Sequence, residues 1–187
     1  AAGRGRRDQQ TAASTSRRVG VATTRWRAMI IETLRLQLVL DTTEAVLARI
    51  DAMSPADRAE VSPEWLARMR DSLPTPWTHA FTVMTRVPND IVGSCGFKGQ
   101  PDANGMAEIA YGIASAHRGR GYAKEAAAAL VQFALGAGAR VIRAHTRPEN
   151  VASARVLESC GLTCVGDVLD PEDGLVRRWE LVRSASR

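Results

Sequence analysis

Arg118-Gly119-Arg120-Gly121-Tyr122-Ala123, preceded by His117, is the segment whose residue types and spacing best suit chemistry. It follows a stretch of two-residue apolar alternation and runs into a long helical pattern, so it reads as a strand-to-helix turn. Gly119, Gly121 and Ala123 permit a tight turn and let a ligand approach the backbone, while unpaired amides at a helix start attract phosphate. A diphosphate fits such a turn. The segment is not G-x-G-x-x-G, because its third small residue is an alanine two steps on, and Gly121 lacks the Lys-Ser/Thr that a Walker loop requires. Read alone, it admits both an anion site and an ordinary glycine-containing turn.

The elements that must hold this turn are legible on both sides of it. Ala107 to Ile113 alternates, with Glu108, Ala110 and Gly112 on one face and Ile109, Tyr111 and Ile113 on the other. Residues 121–138 carry the strongest helical pattern, with Ala126 to Ala129 as good helix formers, Leu130, Val131, Phe133, Ala134 and Leu135 as apolar surface, and Gly136 and Gly138 at the end. Upstream, Leu34, Leu36, Leu38 and Leu40 alternate as a first strand. Asp41 to Glu44 has the acid-x-x-Glu spacing of a helix cap, followed by Val46, Leu47, Ile50 and Met53 on one face. Ser62-Pro63-Glu64 opens a second short helix, with Trp65, Leu66 and Met69 as its stripe, and Pro74 and Pro76 stop it. Residues 78–87 and 91–98 read as antiparallel strands joined through Pro88-Asn89-Asp90. Downstream come a strand from Val141 to Thr146, a helix from Asn150 to Ser159 closed by Gly161, and a hairpin of Leu162 to Val168 with Leu175 to Leu181.

The 187 residues fit one globular domain, with 45% hydrophobic and 24% charged residues. The net charge of +5 is unevenly placed: residues 1–27 hold seven arginines and one acid, leaving 18 bases against 19 acids in residues 28–187. The domain is therefore nearly neutral, which argues against a basic nucleic-acid-binding face. The leader is expected to be a disordered tail or a mis-assigned start, followed by a single domain over residues 28–187. Ala28 to Ile31 falls far short of the ~18 residues of a membrane span, and no secretion signal is visible. Cys95, Cys160 and Cys164 cannot all pair, so a reduced set packed in the core is expected, in a cytoplasmic protein. Cys160 and Cys164 would supply two metal ligands at best, with no histidine near them in sequence.

The run R-x-x-G-x-A between strand and helix resembles the acyl-CoA pyrophosphate loop of the GNAT superfamily of N-acetyltransferases, and Asn150-x-x-Ser153 with Leu157-Glu158-x-x-Gly161-Leu162 is similar to its second signature. The match is nearest the bacterial RimJ/RimL-like branch, the ribosomal-protein-alanine N-acetyltransferases, whose opening strand E-T-x-R-L-x-L resembles Glu32 to Leu38. The resemblance covers about residues 31–182. It implies an α/β (in some schemes α+β) fold with a central mixed, mostly antiparallel twisted sheet of about seven strands flanked by four helices. The implied activity is acetyl transfer from acetyl-CoA to a primary amine by direct attack on the thioester, without a metal.

By the same resemblance, backbone amides of Arg118, Gly119, Arg120, Gly121, Tyr122 and Ala123 would hold the CoA diphosphate, and the strand edge at Ile113, Ala114 and Ser115 would bond the pantetheine. Asn150 and Ser153 would face the thioester arm, although by residue type Asn150 also suits a helix N-cap and Ser153 a solvent-facing site. Glu108 matches a position from which relatives draw a general base; a salt-bridged strand glutamate is the plain alternative. His117 and His145 are rival bases. Relatives commonly protonate the leaving thiolate from a tyrosine after the next strand; here Tyr111 and Tyr122 both lie upstream, and Ser153 is the expected substitute. An amide released by a bulge near Tyr111 to Ile113 would stabilise the oxyanion.

The acceptor is left open between a protein N-terminus, a small metabolite and an aminoglycoside-like antibiotic, as is a homodimer. The turn bearing Asp167, Asp170, Glu172 and Asp173 would attract a cationic amine or be a solvated loop. Two other classes compete: a catalytically idle acyl-CoA-binding or regulatory domain, and a nucleic-acid binder acting through the arginines of the leader.

Overall fold

The computed structural model describes residues 29–183 apart from residues 60, 172 and 173. The arginines of the leader, and Glu172 and Asp173 of the acidic turn, lie outside the described residues. In chain order the elements are β1 (Ile30–Glu32), β2 (Leu36–Leu40), α1 (Thr43–Asp51), α2 (Pro55–Ala59), α3 (Pro63–Asp71), β3 (Phe81–Thr85), β4 (Ile91–Phe97), β5 (Met106–Ile113), α4 (Tyr122–Gly136), β6 (Val141–Thr146), α5 (Val151–Ser159), β7 (Thr163–Asp170) and β8 (Gly174–Val182). The strands form one sheet in the order β1-β2-β3-β4-β5-β6-β8-β7. Every neighbouring pair is antiparallel except β5 and β6.

The sheet thus has eight strands rather than the expected seven. The eighth strand precedes the expected first one: Thr33 to Arg35 turns the chain, so the expected strand starts at Leu36, and Ile30 to Glu32 folds back on Gln37 to Val39. Leu34, read as part of the alternation, is 87% exposed at this turn. Four helices of nine or more residues flank the sheet, with the five-residue α2 between α1 and α3.

Alternation on β5 holds. Ala107, Ile109 and Ile113 pack in the main core with Ala126, Leu130 and Ala134 of α4 and Leu157 of α5. The opposite face carries Glu108, Ala110 and Gly112. Thr82 and Ser94 continue that face across the ladder, and Arg49 of α1 donates to Thr82, so α1 lies on the side of the sheet away from α4. A separate small cluster of Val46, Ile50 and Met69 joins α1 to α3.

The cap of α1 differs from expectation by one residue. Thr42 accepts from the Ala45 amide, whereas Asp41 is buried and receives Arg49 and Thr82. A buried carboxylate is better satisfied by a guanidinium and a hydroxyl than by one capping amide. The cysteines also depart from a common core placement: all three are free, but only Cys95 is buried, with Cys160 half-buried and Cys164 exposed on the edge strand β7.

The feature that creates a site is the parting of β5 from β6. Their parallel register covers Met106, Ala107 and Glu108 and ends at Arg143, although β5 continues to Ile113. The β4–β5 ladder is regular through Ile113, so the expected bulge near Tyr111 is absent. Lys98 donates to the Glu108 carbonyl and Ala114 to that of Val92. Backbone polar groups alternate between the two edges of a strand, so those of Tyr111 and Ile113 face the gap toward β6. Divergence of two strands, rather than a bulge, exposes the donors.

Candidate functional site

At the end of β5 a single-turn 3-10 helix (Ser115–His117) leads into the glycine turn. Gly119 and Gly121 take φ of 77° and 80°, a left-handed conformation that side-chain-bearing residues adopt with strain. Gly121 is the N-cap of α4 and supplies no side-chain cap. The first helical bond runs from Glu125 to the Gly121 carbonyl, so the amides of Tyr122, Ala123 and Lys124 precede any carbonyl within reach in the helix. The Arg118 guanidinium bends back to the Ile113 carbonyl at 3.0 Å. The turn accordingly offers main-chain donors, while this arginine braces the strand end.

Beside it lies a cleft of about 460 Å³ between the end of β5, the turn and the first turn of α5. Of the residues singled out in the sequence, Ile113, Arg118, Gly119, Gly121, Tyr122, Ala123, Asn150 and Ser153 line it. Ala114, Ser115 and Arg120 do not, and the Ala114 amide is engaged by Val92. Asn150 is both wall and cap: its side chain accepts from the Ser153 amide at 3.1 Å. The Ser153 hydroxyl has no partner among the described residues.

Tyr111 is the lining residue that sequence reasoning set aside. Its hydroxyl reaches the Ser153 carbonyl at 3.3 Å from beneath α5. Burial pushes the phenol up to about 12, against a weaker downward pull from the contact at Ser153. The signal available beforehand was a tyrosine on the core face of a strand, whose hydroxyl needs a polar partner at the far end.

Glu108 does not line this cleft. It lies on the opposite face of β5, where one carboxylate oxygen meets His145 Nδ1 at 2.9 Å and Lys98 Nζ at 3.3 Å. His145 Nε2 is buried and without a partner among the described residues. The two expected catalytic residues, Glu108 and Ser153, therefore stand on opposite sides of the sheet, next to the gap between β5 and β6. His117 is on the cleft wall with Ser153. Asp167 of the acidic turn pairs with Arg177 at 3.7 Å. No group of three or more histidine, cysteine or acidic side chains among the described residues has metal-binding geometry.

Residues 22–163 match the acetyltransferase (GNAT) domain family. The chain belongs to the GNAT acetyltransferases. Among curated proteins, this GNAT chain is 41% identical over 91 residues to the uncharacterized N-acetyltransferase YjdG of Bacillus subtilis, covering 48% of the chain and 51% of that protein. It is 30% identical over 101 residues to the uncharacterized N-acetyltransferase p20 of Bacillus licheniformis, covering 54% and 52%. The matches span about half the length of these relatives.

Solved structures under 25% identical share its fold. The ribosomal-protein-S5-alanine acetyltransferase from Vibrio fischeri superposes with a TM-score of 0.63 at 14% identity, covering 82% of this chain and 96% of that one. RimL, the ribosomal L7/L12 alpha-N-protein acetyltransferase, solved in complex with coenzyme A, gives 0.60 at 19%, covering 82% and 98%. The microcin C7 self-immunity acetyltransferase MccE, solved with acetyl-CoA and AMP, gives 0.58 at 16%, covering 81% and 94%.

The Tyr111 environment in this GNAT domain is testable by alkaline titration. A phenol ionising near pH 12 should be present in the wild type and missing in Tyr111→Phe, read from phenolate absorbance. Because the folded value lies above the unfolded value of about 10, burial of this phenol stabilises the fold fully below pH 10, and the contribution is lost as the pH rises to 12. Ionisation of Tyr111 at the ordinary value would show that its hydroxyl is solvated.

Proposed function

We propose that this chain is an acetyl-CoA-dependent N-acetyltransferase acting on a primary amine. The observation that carries the proposal is the cleft where β5 and β6 part: it joins the glycine turn, the strand donors at Tyr111 and Ile113, and the Asn150–Ser153 turn. Three structural relatives described as acetyltransferases, two of them solved with CoA or acetyl-CoA, support the same donor.

In this reading the diphosphate is held by the amides from Gly119 to Ala123, with the positive end of α4 behind them. The pantetheine arm lies along the edge of β5 beyond its pairing with β6, where the Tyr111 and Ile113 amides face the gap. The acceptor enters from the face bearing Glu108 and His145. The amine nitrogen attacks the thioester carbonyl carbon, a C–N bond forms, and the C–S bond breaks as the tetrahedral intermediate collapses. Glu108 takes the proton lost by the amine. Strand amides at the gap stabilise the oxyanion, and the Ser153 hydroxyl donates to the leaving sulfur and relays a solvent proton to it. A serine hydroxyl is too weak an acid to be the proton's source.

The acceptor is a protein N-terminus or a small amine, the first suggested by the described substrates of the ribosomal-protein relatives. The free thiols suit a reducing, cytoplasmic setting, which belongs to the same proposal. Calorimetry with acetyl-CoA and CoA, followed by thiol-release assays on an N-terminal-alanine peptide panel and an amine library, tests it. Saturable CoA binding with turnover on one set is expected. Failure to bind either nucleotide overturns the proposal; binding without turnover on any amine supports an idle acyl-CoA-binding domain instead.

A further inference from the structure

We propose that Arg35, assisted by Thr33, is a positioning residue for the acyl donor: a clasp from the β1–β2 turn that sets the orientation of the Arg120–Gly121 peptide. This rests on the glycine turn being the diphosphate site proposed above.

The opening motif Glu32-Thr33-Leu34-Arg35-Leu36 has no role in the chemistry described so far. Its exposed Leu34 shows that the turn is not shaped by burial of its apolar residue. Its polar residues instead converge on Glu125, in the first turn of α4. Thr33 Oγ1 donates to Glu125 Oε1 at 2.6 Å, and the Arg35 amide donates to the same oxygen at 2.7 Å. Arg35 Nε donates to Oε2 at 2.8 Å, and Nη2 lies 2.8 Å from that oxygen. The remaining terminal nitrogen, Nη1, donates to the Arg120 carbonyl at 2.9 Å. The guanidinium also lies over the Tyr122 ring, 5.1 Å from its centroid. One side chain thus touches positions 120, 122 and 125, on both sides of the left-handed Gly121.

Two physical consequences follow for a bound diphosphate. In a trans peptide the carbonyl and the next N–H point in opposite directions. With the Arg120 carbonyl held toward Arg35, the Gly121 N–H is turned away from it, and Gly121 is a wall of the cleft. The second consequence concerns charge. A free carboxylate in the first turn of α4 would repel a dianionic ligand. Burial alone would raise the Glu125 pKa, but the bonds from Thr33, the Arg35 amide and the guanidinium, with its charge, outweigh this and hold it below the ordinary value. The carboxylate stays ionised, and its oxygens are saturated on the side of the β1–β2 turn. A cβ at residue 121 would lie 3.2 Å from Arg35 Nη2, so the clasp also packs directly against this glycine.

The test compares donors with and without the diphosphate. In Arg35→Ala, the Kd for CoA and the KM for acetyl-CoA should rise about tenfold, as expected for loss of charge-assisted bonds. The acceptor KM and the turnover of S-acetylpantetheine, which lacks the diphosphate, should not change. Adding Glu125→Gln to Arg35→Ala should recover part of the lost CoA affinity by removing the exposed carboxylate charge. Arg35→Lys and Thr33→Val, smaller disruptions of the same clasp, give the readout if Arg35→Ala does not fold. If wild type fails to bind CoA, the diphosphate-site reading falls and this inference with it. If wild type binds and the folded variants bind CoA equally well, this inference falls alone. Equal losses with acetyl-CoA and S-acetylpantetheine also overturn it, by assigning Arg35 a general structural role.

Discussion

Glu108→Gln is expected to lower kcat by roughly a hundredfold to ten-thousandfold while CoA binding stays near the wild-type value. Glutamine keeps the length and planarity of the side chain and still accepts hydrogen bonds, so it can remain beside His145 and Lys98. It cannot carry away the proton of an attacking amine. CoA affinity should be spared because Glu108 lies on the face of β5 turned away from the cleft that holds the glycine turn. The competing role is an ion-pair strut. Lys98 is 46% exposed in its side chain, and a pair that open contributes little to stability. A strut would therefore give unchanged kcat and, at most, a small fall in Tm. That outcome would remove Glu108 from the mechanism.

His145 refines this experiment. In the tautomer that donates Nδ1–H to Glu108, Nε2 carries an open lone pair, and that atom has no partner among the described residues. If carboxylate and imidazole handle the proton as a unit, His145→Gln should lower kcat too, and the double variant should lose less than the product of the two single losses. Independent, multiplicative losses would assign them separate roles.

Local pattern revealed what local chemistry determines. The β5 alternation survives because its period matches a strand with one buried face, and the turn at residues 118–123 is legible because small residues stand between a strand pattern and a helix start, although its residues alone leave an anion site and an ordinary turn both open. Asn150 marks a limit of residue type: its type suits both a cap and a cleft wall, and the first turn of α5 lets one side chain do both. The turn that sets β1 before β2 is hidden because its cause is distant. Thr33 and Arg35 reach Glu125, about ninety residues on, and no window on the sequence contains both ends. The exposed donors of β5 were expected from a bulge and arise instead from the early end of pairing with β6, a property of two strands that neither sequence carries alone. Tyr111 lies upstream of Ser153 in chain order, and the packing of α5 over the sheet brings it beneath Ser153 in the cleft.

Gly93→Ala is expected to be among the most disruptive single-methyl changes in this fold. Gly93 faces Ile113 across the β4–β5 ladder, at the far end of the β5 stretch that runs on beyond its pairing with β6. A Cβ at this position would lie 2.1 Å from the Gly112 carbonyl oxygen and 3.0 Å from the Ile113 Cα. Both are backbone atoms of the partner strand, so no rotamer change relieves the contact and the strands must separate. Overpacking of this kind costs about 1–3 kcal/mol or more, a fall in Tm of roughly 3–10 °C for a chain of this size. The displaced segment is the one proposed to hold pantetheine, so CoA binding should weaken with stability. Gly112→Ala is the matched thermal control: it adds the same methyl to the facing strand, where a Cβ meets nothing within 4 Å, and its Tm should stay near wild type. Equal Tm values for Gly93→Ala and wild type would mean that β4 and β5 can separate there at little cost. The close approach at Gly93 would then not be what fixes the edge of β5 along the cleft.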